Sequence, residues 1–568
     1  MAIFSQNAVA SSLRQRLEPA FQQVARAQVV ERLWRQDYTL WKPDPTEITN
    51  RLGWLTLPDQ MQAHLKPLTA LAAAARAEGI SDVVLLGMGG SSLGPEVLRA
   101  SFGSHKKMPR LWVLDSTVPA WVRHVSERIH PARTWFLVAS KSGGTIEVMS
   151  LYAHFRQLVG QAKHNAGGRQ FIAITDPGTG LERLAGDEGF RQIFSNPSDV
   201  GGRYSVLSLF GLVPAALLGL DVAKLLARAT AMAAQCRHTS VEENPGLQLG
   251  TAMGALAKAG RDKVTIVTSS SVESFGLWAE QLLAESTGKQ GTGLIPVAQE
   301  PVQPPSEYGV DRLFIYLRLN GAGNQTLDRQ MKALAQAGHP VVTLRLRDQY
   351  ELAAEFFRWQ VATAVAGHLL GIHPFDQPNV QESKDNTGRV LEEYQTAGRL
   401  PDQPALSPAQ AVRSLSEHIQ RGTYLSILAY TTPSKSLESA LRRLRAVLIR
   451  RHHVATTCGY GPRYLHSTGQ LHKGGPASGV FLELVDRMKP DIQIPGKPYS
   501  FGTLALAQAT GDLLSLHAHG RTAVRVRLGS NPVATVDALI KAVGPVSAPV
   551  RRRTKSTARR LSRRRRRA

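Results

Sequence analysis

Hydroxyl and ammonium groups crowd into a short glycine-rich turn at Ser140-Lys-Ser-Gly-Gly-Thr145, between the apolar run Trp135–Ala139 and a helical pattern. Hydroxyl donors, one ammonium and the free N–H groups of a helix start suit a phosphate monoester. The spacing differs from the P-loop, which needs Gly-x4-Gly-Lys-[Ser/Thr]. A polar capped turn would use the same residue types. The position at the carboxyl end of a strand, where open α/β sheets bind ligands, favours phosphate. Gly87-Met-Gly-Gly-Ser-Ser-Leu-Gly94 follows Val83–Leu86 in the same way. Its glycines permit close approach of backbone to a ligand, but they do not have the Gly-x-Gly-x-x-Gly spacing of dinucleotide sites.

Other segments carry groups for moving protons. In Gly201-Gly-Arg-Tyr-Ser-Val206, Arg203 stands between glycines and an apolar run. It suits either a structural ion pair or a guanidinium aimed at a developing oxyanion. In Gln281-Leu-Leu-Ala-Glu-Ser-Thr-Gly-Lys289, Gln281 and Glu285 are four apart and share a helix face. Glu285 lies near the helix end, where the dipole disfavours an anion, beside apolar neighbours; that suits a general base, although helix-end glutamates are common. The remaining blocks are Phe375-Asp-Gln-Pro-Asn-Val-Gln-Glu-Ser-Lys384 and Leu465-His-Ser-Thr-Gly-Gln-Leu-His472. His452, His453, His466 and His472 raise the question of a metal, but no HExxH or Cys/His ligand spacing occurs. Taken singly each reads as a core or solvated histidine, and no metal is expected.

The elements that position these groups follow from periodicity. Residues 1–80 read as helical, with helical spacing over Gln22–Trp34 and Pro58–Glu78. From 81 onward short apolar runs alternate with amphipathic ones. Expected strands are Val83–Leu86, Leu111–Leu114, Trp135–Ala139 and Phe171–Thr175, then Val264–Thr268, Leu313–Leu319 and Val341–Leu346. Helical patterns at Glu147–Leu158, Gln330–Ala337 and Leu352–Leu370 separate them. This is the pattern of parallel sheets covered by helices on both faces. A third, smaller α/β stretch has expected strands Leu425–Tyr430, Val480–Val485 and Ala523–Leu528, with a helix near Leu437–Arg450. The expected division is a helical segment 1–80, α/β domains at 81–235 and 236–545, the second with an insertion, and a tail 546–568.

The chain has 568 residues and a net charge of +24. The eleven positive charges of 551–568 account for much of that, leaving +13 on the rest. This tail is a like-charge block with almost nothing to bury, and is expected to be disordered and at most a weak, salt-dependent polyanion binder. No basic patch interleaved with aromatics marks the folded part, so no specific nucleic-acid partner is expected. Cys236 and Cys458 cannot build a disulfide scaffold. The N-terminus lacks a signal-peptide pattern, and Tyr204–Leu220, the longest uncharged stretch, contains Pro214 and reads as a buried helix. The expectation is a soluble cytoplasmic protein with no membrane association.

Together the motifs resemble the glucose-6-phosphate isomerase family over roughly residues 30–500. GMGGSSLG, SKSGGT, GGRYSVLS, QLLAESTGK and FDQPNVQESK each match a family block. The wording, including ERLWRQDYTLWKPDPTEITNRLGWL at 31–55, looks closest to the isomerase half of bifunctional transaldolase/glucose-6-phosphate isomerase fusions. The resemblance implies two sugar-isomerase (SIS)-type three-layer α/β/α sandwiches with the site between them, reversible isomerisation of glucose 6-phosphate and fructose 6-phosphate, a homodimer and no cofactor. It implies that Gly90, Ser91, Ser140, Lys141, Ser142 and Thr145 hold the sugar phosphate, and that Gln281 and Gln377 line the site. Glu285 would move the proton between C1 and C2, Arg203 would stabilise the cis-enediolate, and Lys384 with a histidine would open the ring. The family's ring-opening histidine usually follows soon after the Glu-Ser-x-Gly-Lys block. Here that stretch, PPSEYGVDRLFIYL (304–317), has none, and LHSTGQLH appears after the FDQ block instead. His466 is the expected counterpart, with His472 and His373 as alternatives. The rival readings are a non-catalytic SIS-type sugar-phosphate regulator, and an isomerase that also accepts mannose 6-phosphate.

Overall fold

A computed structural model describes residues 8–162, 167–321 and 323–544. Among these residues, three all-parallel sheets form the frame. The first holds β1 (Asp82–Gly87), β2 (Arg110–Leu114), β3 (Thr134–Ala139), β4 (Phe171–Thr175) and β5 (Gln192–Ser195), in the order β2-β1-β3-β4-β5. The second holds β6 (Lys263–Thr268), β7 (Ile295–Ala298), β8 (Arg312–Leu319) and β9 (Val341–Leu346), in the order β7-β6-β8-β9. The third holds β10 (Tyr424–Tyr430), β11 (Ala455–Tyr460), β12 (Gly479–Val485) and β13 (Thr522–Arg527), in the order β11-β10-β12-β13. The strand order is thus repeated three times. The chain lays down one strand, steps outward, then crosses back to the other side. The stretch 236–545 therefore contains two sheets, and the third, smaller α/β stretch expected there is a four-stranded parallel sheet of its own.

The central strands are buried along their whole length because helices cover both faces; β1 and β3 have no exposed residue. The N-terminal residues form the helices Ala8–Arg26, Val29–Trp34 and Leu65–Ala77 with short 3₁₀ turns between them. These pack Leu33, Trp54 and Leu68 into the same core as Phe357 and Val365, on the helix Glu351–Leu370. The apolar stretch around Pro214 is the helix Leu209–Leu217, buried throughout. No helix among the described residues is long and apolar enough to cross a membrane. The Arg-rich tail lies outside the described residues.

Buried charges fix the third sheet against the other two. The fully buried Arg312 pairs with Glu300 at 2.9 Å, and Glu300 also accepts from the backbone N–H of Thr456, at the start of β11, at 2.7 Å. Arg445 donates to the carbonyls of Ala298, at the end of β7, and Thr456, at 2.9 and 2.6 Å. The edges β7 and β11 thus cover each other instead of standing open. Removing one partner from such a buried pair typically costs about 3–5 kcal/mol. Toward the first sheet, Arg463 makes a two-pronged bond to Asp115, just beyond β2, at 2.7 and 2.8 Å.

Candidate active site

In the first sheet the crossover between β1 and β3 is a topological switch point, where open α/β sheets form a crevice at the carboxyl ends of their strands. The two Gly/Ser turns flank it: Gly87–Gly94 follows β1 and Ser140–Thr145 follows β3. Gly90 is required sterically, since a Cβ there would sit 2.0 Å from the Gly202 carbonyl oxygen. Gly89 has φ +54°, and its Cβ would press on the His466 carbonyl and the Gln281 amide. The turn thus brings Ser91 next to three other segments of the site. The Ser140 and Thr145 hydroxyls are 2.9 Å apart. Ser142 is exposed, and its hydroxyl makes no hydrogen bond among the described residues. Lys141 pairs with Asp176 and donates to the Ser198 carbonyl at 3.0 Å. Its charge is already balanced, so it braces the loop.

The helix Phe275–Thr287 starts beyond β6 and carries Gln281 and Glu285 on one face. Gln281 Nε2 donates to Glu285 Oε2 at 3.0 Å and to the His466 carbonyl at 2.9 Å. Gln281 Oε1 is buried without a partner among the described residues. Arg203 is 2% exposed. Its Nη1 lies 3.6 Å from Glu285 Oε1 and donates to Gln377 Oε1 at 2.6 Å. Its remaining donors go to Ser286 Oγ and to the Pro374 and Asp376 carbonyls at 2.8–2.9 Å. Every arm of the guanidinium is held, so its face toward Glu285 is fixed before any ligand arrives.

His466 reaches this cluster from the far end of the chain. Its Nε2 lies 2.7 Å from Glu147 Oε1, in the first turn of the helix Ile146–Ala162. Burial disfavours charge on His466, but the charge and hydrogen bond of Glu147 outweigh it and hold the imidazole above its ordinary pKa. Burial likewise pushes Glu147 up, and His466 more than reverses it, leaving the carboxyl below its usual range. Lys384, on the helix Pro378–Ala397, is exposed, without a hydrogen bond among the described residues, and within electrostatic reach of His466.

The other two histidines are placed differently. His373 lies 3.2 Å from the Thr46 carbonyl through Nε2 and accepts from the Phe375 N–H through Nδ1, and burial pushes it down to about 4. His472 is buried between Tyr464 and Phe481 and is held well below its ordinary pKa by burial and by Lys473. No group of three or more His, Cys, Asp or Glu among the described residues is arranged to hold a metal ion. A separate cavity of about 470 Å³ lies beyond Arg463, lined by charges that already pair, such as Arg99 with Glu96 and Arg442 with Glu273. None of the cluster from Arg203 to His466 lines it.

Residues 57–295 match the family described as Phosphoglucose isomerase. A glucose-6-phosphate isomerase from Rubrobacter xylanophilus is 32% identical over 385 residues, covering 58% of this chain and 87% of that protein. The chain belongs to the glucose-6-phosphate isomerase family. A second family member, from Symbiobacterium thermophilum, is 30% identical over 60% of this chain and 86% of its own. Among solved structures, a hypothetical protein from Thermus thermophilus aligns with a TM-score of 0.56 at 25% identity, over 66% of this chain and 98% of that one. A glucose-6-phosphate isomerase from Chlamydia trachomatis shares the fold, with a TM-score of 0.58 at 17% identity, over 74% of this chain and 96% of its own.

Several residues of the cluster carry no sequence signal of their role. Glu147 meets a histidine 319 positions away. Ser286 and Lys289 lie inside a recognised block, but their partners do not show there. Lys289 donates to the His373 and Asp376 carbonyls at 2.9 and 2.7 Å, and burial together with Arg203 draws it down to about 8.

Proposed function

We propose that this chain interconverts glucose 6-phosphate and fructose 6-phosphate by proton transfer through a cis-enediolate. The observation that carries the reading is the meeting of Glu285, Arg203, Gln281 and His466 beside two hydroxyl-bearing turns at a switch point. The hydroxyls of Ser91 and Ser142, unbonded among the described residues, hold the phosphate with Ser140, Thr145 and the Gly90 backbone. Gln281 Oε1 accepts from a sugar hydroxyl, which answers its lack of a partner. His466, protonated against Glu147, gives a proton to the ring oxygen as the anomeric C–O bond breaks and the anomeric hydroxyl releases its proton to water to become the carbonyl; Lys384, within electrostatic reach of His466, assists. Glu285 then takes the proton alpha to the carbonyl. The electron pair left behind makes the enediolate, whose charge Arg203 stabilises. The two carbons are adjacent, so the same carboxyl returns the proton to the neighbouring carbon while the hydroxyl proton moves between O1 and O2.

The same reading covers three finer points. The segment 31–55 fits the isomerase half of a transaldolase fusion. Family resemblance supports a homodimer, and two unpaired cysteines fit a reducing cytoplasm. The test is a coupled assay of fructose 6-phosphate conversion by the purified full chain in EDTA. Turnover is expected. Sugar-phosphate binding without turnover would favour the regulator, and fructose 6-phosphate formed from mannose 6-phosphate would widen the substrate range.

A further inference from the structure

His466 does not belong to the sheet that carries its partner Glu147. It lies in the 3₁₀ turn Arg463–His466, between β11 and β12 of the third sheet. The same unit contributes the helix Phe501–Ala518. One face of that helix reaches Glu147 and the turn that carries His466. Gln508 Nε2 donates to Glu147 Oε1 at 2.7 Å, the same oxygen that His466 engages. Asp512, one turn further, accepts from the Tyr464 hydroxyl at 2.7 Å and so holds the turn itself. Gln508 is 2% exposed, and its Oε1 accepts from the hydroxyl of Thr117, which is fully buried.

The orientation of this amide follows from the partners. An ionised carboxylate only accepts, so the NH₂ end must face Glu147 and the carbonyl end must face the Thr117 hydroxyl. Glu147 Oε1 therefore lies between two donors. That arrangement favours its charged form and fixes its rotamer, and through it the ring orientation of His466.

We propose that Gln508, set by Thr117, is a positioning residue for ring opening, acting through Glu147 on His466. The inference rests on the isomerase reading and names a part of the site that lies outside the matched segment 57–295.

The test compares two substrates. Fructose 6-phosphate must be opened, whereas 5-deoxyfructose 6-phosphate has no hydroxyl with which to close a furanose ring. In Gln508→Leu, turnover of fructose 6-phosphate is expected to fall about tenfold, the lower end of the loss seen when a group that orients a metal-binding histidine is removed, with KM unchanged. Turnover of the 5-deoxy substrate, followed by phosphorus NMR, is expected to stay at the wild-type rate. Equal loss on both substrates, or no loss on either, overturns the proposal. Thr117→Val should show the same selective loss and Thr117→Ser should restore turnover; this pair decides the matter if Gln508→Leu does not fold. A wild-type chain that converts neither substrate would instead overturn the functional reading, and the inference with it.

Discussion

The first and third sheets share a strand order, and each has a central strand running into a Ser-Lys-Ser sequence at a helix start. What surrounds that tripeptide differs. After β3, Ser142 has a hydroxyl that is unbonded among the described residues, Gly143 takes φ +70°, and the helix that follows delivers Glu147 to His466. After β10 the turn is Thr431-Thr-Pro-Ser-Lys-Ser436, with no glycine. Ser434 there caps its own helix by accepting from the Leu437 N–H at 3.2 Å, and lies 3.2 Å from Ser436. Thr431 is bound to Asp486 at 2.9 Å. The repeated architecture therefore does not repeat the chemistry. The first unit offers at its crevice a serine hydroxyl unbonded among the described residues, whereas the third spends its Thr431, Ser434 and Ser436 hydroxyls internally and contributes side chains from its flank. Function follows the local side-chain content.

Breaking this contrast at its joint has the largest expected effect. Arg203→Lys keeps the charge but not the fork that reaches Ser286, Gln377 and two carbonyls together. We expect kcat to fall about 10²–10³-fold in the coupled assay, the range typical of losing an oxyanion stabiliser. Next comes the pair of serine turns. Ser142→Ala with Thr145→Ala should raise KM at least about tenfold, because hydrogen bonds to a charged group are worth about 1.5–3 kcal/mol each. Ser434→Ala with Ser436→Ala should leave KM alone and cost about 1 kcal/mol of stability through the lost cap, read by thermal unfolding. A matching rise in KM from the second pair would erase the contrast.

The His466–Glu147 pair gives a smaller, pH-dependent effect. His466 is raised above 6.5, so its contribution to stability is full below 6.5 and is lost as pH climbs through the folded value. Glu147 is lowered below 4.5, so its contribution is present above 4.5 and lost as pH falls through the folded value. The excess Tm of the wild type over Glu147→Gln should therefore be greatest between about 4.5 and 6.5 and shrink on either side. A difference that is flat with pH would show that the pair does not titrate. Smallest of all, removing 551–568 should leave kcat and KM unchanged, since this stretch has eleven positive charges and little to bury. Loss of activity on truncation would contradict that.

The legible and the hidden parts of the molecule divide on physical lines. The ten strands expected from apolar runs are all present, because strands buried on both faces read as continuous apolar stretches. The three not anticipated, β5 (QIFS), β7 (IPVA) and β11 (ATTCGY), are all edge strands. An edge strand needs less apolar character, and β7 and β11, each paired on one side only, are covered by each other across the two sheets. The site was legible where spacing is local, as for Gln281 and Glu285. It was hidden where folding joins distant segments, as for Glu147, Gln508 and the anchors of the His466 turn. Lys141 shows the converse: residue type suggested a free cation, and only the fold reveals that Asp176 takes it.

The central claim is that Glu285 carries the proton between adjacent carbons. The direct test is to let wild type and Glu285→Gln convert fructose 6-phosphate in D₂O and to measure deuterium at C2 of the glucose 6-phosphate formed. The wild type should incorporate deuterium as it turns over. Glu285→Gln should lose both turnover and incorporation by about 10²–10⁴-fold while still binding the sugar phosphate. Near-normal turnover and incorporation in Glu285→Gln would contradict the account and assign the proton to another group.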